Sequence, residues 1–220
     1  MQLQHTTPYQ PDFQARNISR VVSTAQNGVK SVIDIYSADK KDKVFLKRFA
    51  EALKRQTLPE DTLMIAGKDA KASVTDALKH VLAPEKRNAD GLLIAIEDKK
   101  NIAGILDYRE NGDMDIHTLF MFKDDKQSMG RKALLIQALK NIKKEVELYA
   151  QIQHNRLTEK TEKYYKSLGF GKERGERALL IPDDKLQEKI NKLQNNSAIS
   201  VRELKYSKNV DLSEVLKLDE

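Results

Sequence analysis

The sequence predicts a mixed α/β (α+β) fold in which helices flank a central, mostly antiparallel sheet. The first observation is that apolar and polar residues alternate with a period of two in several short segments, as in half-buried strands. The second is that segments with apolar residues on one helical face separate these strands. Reading along the chain gives a strand, two helices, three strands, a helix, a strand, a helix and a strand.

The N-terminal half supplies one strand and two helices. Residues 29–37 alternate as the first strand, and residues 39–56 carry apolar positions at helical spacing. The predicted buried stripe of that helix consists of Val44, Phe45, Phe49, Ala52 and Leu53. Ser73 is the predicted N-cap of a second helix, which ends before Pro84 because proline cannot continue it.

A meander of three strands follows over residues 91–97, 102–109 and 114–122. The Asn111-Gly112 pair between the last two strands is a strong hairpin signal, so these strands are expected to run antiparallel. The meander therefore forms the centre of the predicted sheet.

The remaining elements alternate between helix and strand. They are a helix over 128–144, a strand over 146–153, a helix from its cap Thr158 to its stop at Gly169, and a strand over 178–181. The helix over 128–144 is expected to turn lysines outward and to bury Leu134, Leu135, Ala138, Leu139 and Ile142. Another helix over 183–196 and a strand over 198–206 are predicted beyond Pro182.

Composition excludes several classes of function. The 220 residues contain no cysteine, which excludes disulfides, thiolate nucleophiles and cysteine-bound metals. The histidines lack ligand spacing, so no metal is expected, and neither a P-loop nor a nucleophile-elbow motif occurs. The net charge of +6 favours anionic ligands but is too evenly spread to favour nucleic acid as a partner.

The two ends of the chain differ in composition from its centre. Residues 1–27 are rich in Gln, Thr and Asn and are interpreted as a flexible tail, and residues 183–220 as a helical, polar extension. No apolar run is long enough to span a membrane, and residues 1–19 lack the hydrophobic core of a signal peptide. We therefore expect a cytoplasmic protein, with nonclassical export, for example as an effector, left open.

Two segments carry most of the functional information. Residues 115–135 predict a strand, a short polar loop with one glycine, and a basic helix, a junction whose backbone amides suit a pyrophosphate. Some thirty residues later stands Tyr164-Tyr-Lys-Ser-Leu-Gly-Phe170. Together the segments resemble the GNAT superfamily of N-acetyltransferases, whose co-substrate is acetyl-coenzyme A. The resemblance covers roughly residues 28–182 and implies a sheet splayed between its fourth and fifth predicted strands.

The resemblance implies a cofactor site at the loop and on the strand before it. The family's glycine-containing loop aligns with Gln127-Ser128-Met129-Gly130-Arg131-Lys132, or, in a gapless register, its fixed positions fall on Lys126, Met129 and Arg131. Both registers stay open. Backbone groups of Leu119, Phe120 and Met121 are expected to hold the pantetheine arm. Thr158 stands where the family keeps an asparagine, and Asn155 lies near that position.

The same resemblance assigns the catalytic acid. Tyr165 aligns with the tyrosine that protonates the leaving thiolate of coenzyme A, whereas Tyr164 is interpreted as a packing residue. A phenol near pKa 10 and a thiol near 8.5 differ by about 1.5 units, which a positioned general acid can bridge. The candidates for the base are Glu110, Asp115 and His117 at or near the fourth predicted strand, and for a weakly basic α-amine solvent could suffice.

The sequence thus predicts an N-acetyltransferase acting on an amine by direct attack on acetyl-coenzyme A. The acceptor, a protein lysine, a protein N-terminus or a small-molecule amine, stays open, as does the oligomeric state. The alternative is a catalytically weak or inactive GNAT-fold module that binds a protein or RNA partner, because fold alone does not fix activity.

Overall fold

The computed structural model describes residues 15–24, 30–39, 42–55, 69–82, 89–98, 101–111, 113–122, 129–142, 150–173, 178–195, 199–203 and 209–210. Its strands are β1 (Ala15–Thr24), β2 (Lys30–Ala38), β3 (Ala89–Glu97), β4 (Asn101–Asn111), β5 (Asp113–Met121), β6 (Ala150–Gln153), β7 (Gly171–Glu173), β8 (Ala178–Ile181), β9 (Ile199–Glu203) and β10 (Asn209–Val210). Its helices are α1 (Lys43–Arg55), α2 (Ala70–Leu82), α3 (Met129–Ile142), α4 (Glu159–Ser167) and α5 (Asp183–Asn195).

The ten strands form one sheet in the order β10-β1-β2-β3-β4-β5-β6-β8-β7, and β9 also pairs with β1. The pairs among the described strands are antiparallel except β5 with β6. The hairpin predicted at Asn111-Gly112 joins β4 to β5, with Asn111 opposite Asp113. The predicted mixed fold with a mostly antiparallel sheet is confirmed, and its fourth and fifth predicted strands are β5 and β6.

Apolar residues pack against both faces of the sheet. On one face α1 and α2 cover Leu92, Ile94 and Phe120. On the other face α3, α4 and α5 enclose a larger cluster that includes Leu93 and Leu119. Alternate residues of the same strands serve the two clusters, as the pleat requires.

The first two helices differ from the prediction in detail. Val44 is 41% exposed, whereas Leu46, which was not assigned to the buried stripe, is fully buried. The helix α2 begins before Ser73, because the Asp69 carboxylate caps it by accepting a hydrogen bond from the Ala72 amide at 3.0 Å. The side chain of Ala52 lies outside the part that the structure describes.

Helix α3 is buried more completely than its lysine-rich sequence predicts. Every residue from Ala133 to Leu139 is buried, including Gln137, which is 2% exposed. The reason is that α3 is covered twice: the sheet lies on one side, and Leu186, Ile190 and Leu193 of α5 join the same apolar cluster. The C-terminal helix was predicted, but its packing on α3 was not.

The tail prediction is wrong for residues 15–24, which form β1. This strand pairs with β2 along most of its length and with β9 and β10 on its other edge. Sequence reasoning missed it because Ala15–Thr24 carries few large apolar residues, and a strand held mainly by backbone pairing leaves a weak periodic signal. Residues 1–14 lie outside the described part.

One ion pair fastens β1 to β2. Arg20 and Asp34 are cross-strand partners, and Arg20 donates from Nε to Oδ1 at 2.7 Å and from Nη2 to Oδ2 at 2.9 Å. The Asp34 side chain is 1% exposed and that of Arg20 is 39% exposed. The hydrogen bond to Asp34 raises the pKa of Arg20 above its usual value, so the guanidinium stays charged.

We expect Arg20→Met to lower the free energy of unfolding by about 2 kcal/mol, because it leaves the buried carboxylate of Asp34 without a charged partner. The value lies below that for a fully buried pair because the exposed guanidinium is screened by solvent. Urea unfolding followed by circular dichroism measures it. Adding Asp34→Leu to Arg20→Met removes the stranded charge and should recover most of the loss; no recovery in the double variant would contradict the assignment.

Candidate active site

The site lies where β5 and β6 separate. Among the described residues, the two strands pair in parallel at two positions only, Met114–Ala150 and Asp115–Gln151, near the start of β5. Beyond this point the backbone carbonyl of His117 accepts a hydrogen bond at 2.8 Å from Nη1 of Arg156, which follows β6. A side chain thus replaces the missing strand pairing, and the sheet opens between β5 and β6 as predicted.

The open edge of β5 can be assigned from its hydrogen bonds. The amide of Phe122 donates to the Ala103 carbonyl of β4 at 2.8 Å, so residue 122 faces β4, whereas the carbonyl of His117 faces β6. Backbone groups of alternate residues point to the same side of an extended strand. Leu119 and Met121 therefore turn their amide and carbonyl groups toward the opening.

The side chains of the predicted pantetheine-binding residues lie in the core. Leu119 and Phe120 are fully buried and Met121 is 2% exposed. Any contact of this segment with a cofactor would thus run through its backbone, and by the alternation of the strand Phe120 would contribute less than its two neighbours.

The start of α3 is built differently from the prediction. Lys126, Gln127 and Ser128 lie outside the described residues, and the helix begins at Met129. A Cβ on Gly130 would lie 2.5 Å from Cε of Met121 and 3.8 Å from Ala103 Cβ, so this glycine permits close packing of α3 on the sheet.

The basic residues of this first helical turn have different surroundings. Arg131 is 3% exposed, and its guanidinium lies 5.9 Å from the ring centroid of Tyr164. That distance allows a cation–π contact between the start of α3 and α4. Lys132 is half-buried. The first turn therefore holds one buried and one accessible cation, whichever register aligns with the family loop.

Helix α4 carries both tyrosines of the motif, the candidate acid Tyr165 and its neighbour Tyr164. Tyr165 is fully buried, and its ring makes edge contacts with Phe170 at 5.8 Å and with Tyr164 at 5.1 Å between centroids. Tyr164 is half-buried and faces Arg131. The Leu-Gly-Phe end of the helix places Gly169 at φ +100°, where a side chain would be strained.

The start of α4 has the predicted cap. Thr158 Oγ1 accepts a hydrogen bond from the Thr161 amide at 3.2 Å, and Thr161 Oγ1 accepts one from the Thr158 amide at 2.7 Å. This reciprocal capping box engages the Thr158 hydroxyl in the start of the helix. Asn155 lies in a short 3-10 helix, His154–Arg156, and both Asn155 and Thr158 are exposed.

The three base candidates do not form one cluster. His117 Nε2 lies 3.3 Å from Asp115 Oδ2, and the same oxygen accepts a hydrogen bond from Gln153 Nε2 at 2.7 Å. Glu110 lies near the end of β4, and its side chain is outside the described part. His117 and Asp115 thus form a fixed pair on β5, an arrangement that orients an imidazole for proton transfer.

A cavity of about 400 Å³ lies beside the opening. It is lined by α2, β4, β5 and the turn after β6, through Ser73, Asp76, Ala77, His80, Asp107, Arg109, His117, Thr118, Asn155 and Arg156. Asp107 is 1% exposed, and Arg109 Nη2 lies 2.8 Å from His80 Nε2. The volume suits a small molecule, and the lining is unusually polar for such a site.

Sequence reasoning found His117 and Asn155 but missed Asp107, Arg109 and Arg156 of this cavity. Asp107 and Arg109 lie in β4, whose apolar residues were used to predict the strand, whereas its polar residues were not assigned a function. Arg156 follows β6 without any motif. A charged residue inside an apolar strand was the signal that could have indicated Asp107, because a buried carboxylate is rarely retained for packing alone.

The chain was compared with known proteins. Neither a protein-family model nor a curated protein matches it. Among solved structures it is similar to a mutant of the toxin AtaT bound to the C-terminus of the antitoxin AtaR and acetyl-CoA, at 17% identity, a TM-score of 0.44, and coverage of 62% of this chain and 88% of that chain. It is also similar to the PaiA N-acetyltransferase of Thermoplasma acidophilum in complex with coenzyme A, at 14% identity, a TM-score of 0.42 and coverage of 67% and 96%.

A third similar structure is a mutant of the spermidine N-acetyltransferase SpeG from Vibrio cholerae, at 14% identity, a TM-score of 0.43 and coverage of 70% and 95%. None of these similarities transfers an activity or a partner to this chain. The order of the elements from β2 to β8, the mostly antiparallel sheet and its opening between β5 and β6 are the features that the sequence resemblance implied. The described part of the chain has a GNAT-like fold.

Two further features of the described residues bear on other functions. No described helix combines the length and the apolar character needed to cross a bilayer. Within the same residues, no group of three or more His, Asp or Glu side chains is arranged to bind a metal ion.

Proposed function

We propose that this chain transfers the acetyl group of acetyl-coenzyme A to an amine. The observation that supports this most strongly is the opening between β5 and β6. There the backbone groups of Leu119 and Met121 are turned toward a gap, and a polar cavity lies beside it. The pantetheine arm of the cofactor carries amide groups and can therefore pair with such a strand edge as a further strand would. The arm and the strand each offer N–H donors and carbonyl acceptors.

The first turn of α3 is the proposed diphosphate site. Helix N-termini favour anions through their amides and dipole, and Lys132 adds an accessible positive charge there. Arg131 supports this site from inside, since its guanidinium is buried next to Tyr164. In this proposal Lys126, Gln127 and Ser128 supply the rest of the loop.

The reaction needs an acid and a base in addition to a bound thioester. The neutral amine attacks the carbonyl carbon, a C–N bond forms, and the C–S bond breaks. The nitrogen loses one proton to a base, for which we propose His117 or, with its side chain outside the described part, Glu110. The leaving thiolate gains one proton from Tyr165. Deprotonating a lysine-like amine at pH 7 costs about 4.6 kcal/mol, so a base held in place by Asp115 is a substantial aid.

We expect acetyl-coenzyme A at 100 times its dissociation constant to stabilise the chain by about 2.7 kcal/mol, visible as a rise in melting temperature. Lys132→Glu should weaken binding by roughly 10-fold, because it places a like charge beside the diphosphate. Isothermal titration calorimetry measures the affinity. Lys140→Glu is the matched control: it is half-buried on the same helix, eight residues or about 12 Å farther along.

Two outcomes would count against this proposal. If acetyl-coenzyme A leaves the melting temperature unchanged, the alternative of a binding module for a protein or RNA gains support. If both charge reversals weaken binding equally, the first turn of α3 is not the diphosphate site, and a general loss of positive charge explains the effect.

A further inference from the structure

We infer that the acceptor is a small amino acid, that is, a molecule carrying both an amine and a carboxylate, and that it binds in the cavity between α2 and the opening. This inference rests on the proposed acetyl transfer and names its acceptor. The cavity volume of about 400 Å³ lies within the range of small-molecule sites and exceeds that of a single amino acid.

The charges that line the cavity are of both signs. Asp76 and Asp107 bring carboxylates, of which Asp107 is 1% exposed, and Arg109 and Arg156 bring guanidinium groups. A carboxylate attracts the ammonium group of an amino acid, and a guanidinium pairs with a carboxylate through parallel hydrogen bonds. A polyamine has no carboxylate to pair with the two arginines, so its second ammonium group would meet them as a like charge, which is costly in a confined site.

Both guanidinium groups are held in place. Arg109 Nη2 lies 2.8 Å from His80 Nε2 on α2, and Arg156 donates from Nη1 to the His117 carbonyl at 2.8 Å. Within the described residues, Nε of Arg156 is buried and has no hydrogen-bond partner. A buried donor left without an acceptor is costly, so an anionic ligand oxygen would supply what this atom lacks.

The position of the cavity suits the reaction. His117 lines it, and the carbonyl of the same residue marks the edge of β5 where the opening starts. An amine in the cavity therefore lies beside the gap in which the thioester arm is proposed to pair with Leu119 and Met121. Arg156 contacts both the opening and the cavity, which makes it the residue best placed to orient the acceptor.

The test compares each of the common amino acids with its own carboxamide as acceptor, with acetyl-coenzyme A as donor and thiol release as the readout. Amidation removes the carboxylate charge and keeps the amine. We expect kcat/KM to fall roughly 10- to 100-fold for the amide of the preferred amino acid, as for the loss of a charged hydrogen bond. The amine of an amino-acid amide is less basic, so more of it is neutral and able to attack, and this effect alone would favour the amide. A preference for the acid therefore shows that its carboxylate is recognised.

Arg156→Gln should reduce the acid-to-amide ratio to within about 3-fold by raising KM for the acid, and Arg156→Lys should restore part of the preference. Lys163→Gln, on the exposed side of α4, is the control that should keep the parent ratio. Thermal unfolding shows whether each variant folds. If Arg156→Gln fails to fold, the kcat/KM values of the parent chain for each amino acid and its amide still test whether the acceptor carboxylate is recognised.

The outcomes separate this inference from the proposed function. Equal turnover of acids and amides, preference for spermidine, or acetyl-coenzyme A binding with no amino acid accepted would each overturn the amino-acid acceptor and leave the cofactor site intact. An unchanged ratio in Arg156→Gln would likewise overturn the assigned orientation. Failure of acetyl-coenzyme A to bind would instead remove the proposed function itself.

Discussion

Tyr165→Phe is expected to lower turnover roughly 10- to 1000-fold, with little change in the affinity for acetyl-coenzyme A. The substitution removes one hydroxyl and keeps the ring, whose edge contacts with Phe170 and Tyr164 hold it in place. A hydroxyl on a fixed ring needs no reorganisation before it donates a proton, which is why its removal should affect turnover more than binding. Steady-state kinetics with coenzyme A release as the readout gives both parameters.

Tyr164→Phe is the matched control, since neighbouring positions on a helix point about 100° apart. Tyr164 is half-buried and faces Arg131, whereas Tyr165 has no exposed surface. The acid must contact the sulfur of the cofactor, so the thioester has to reach the buried ring. If Tyr164→Phe is the slow variant, the acid is the hydroxyl beside the start of α3. If both variants match the parent, neither tyrosine protonates the thiolate.

The sequence predicted the fold well where packing is local. The meander of β3, β4 and β5 follows from alternation and from the Asn111-Gly112 hairpin, and α4 follows from its cap Thr158 and its stop Gly169. These signals depend on the few residues that form each element. The sheet edge made by β1, β9 and β10 joins residues about 180 positions apart, and no periodicity within a segment reports such a pairing.

The sequence predicts the candidate site only through the motif residues. It singled out Gly130 in the loop, but the direction in which this position points depends on how α3 lies against Met121, which a linear pattern does not contain. The polar cavity is assembled from α2, β4, β5 and the turn after β6. Each contributes two or three polar residues that are ordinary within their own segment, so no pattern in the sequence indicated that Asp107 and Arg156 line one cavity.

Gly130→Asp is expected to lower the free energy of unfolding by about 3 to 5 kcal/mol. From the loop motif alone, this substitution would disturb only the ligand. In the structure a Cβ at this position points at Cε of Met121, 2.5 Å away, with Ala103 and Ile33 each contributing a carbon at 3.8 Å. An aspartate would thus place a carboxylate among apolar groups that offer it no partner of opposite charge. Urea unfolding followed by circular dichroism measures the loss.

Gly130→Ala is the matched control, because it adds the Cβ without the charge. The atom it meets is the end of a flexible methionine side chain, which can move, and alanine gains about 1 kcal/mol of helix propensity over glycine. We therefore expect its stability to stay within about 1 kcal/mol of the parent. If Gly130→Asp unfolds like the parent but no longer binds acetyl-coenzyme A, the glycine faces the ligand, and α3 is turned relative to the arrangement described. If both variants are equally destabilised, close packing against Met121 rather than the buried charge sets the stability at this position.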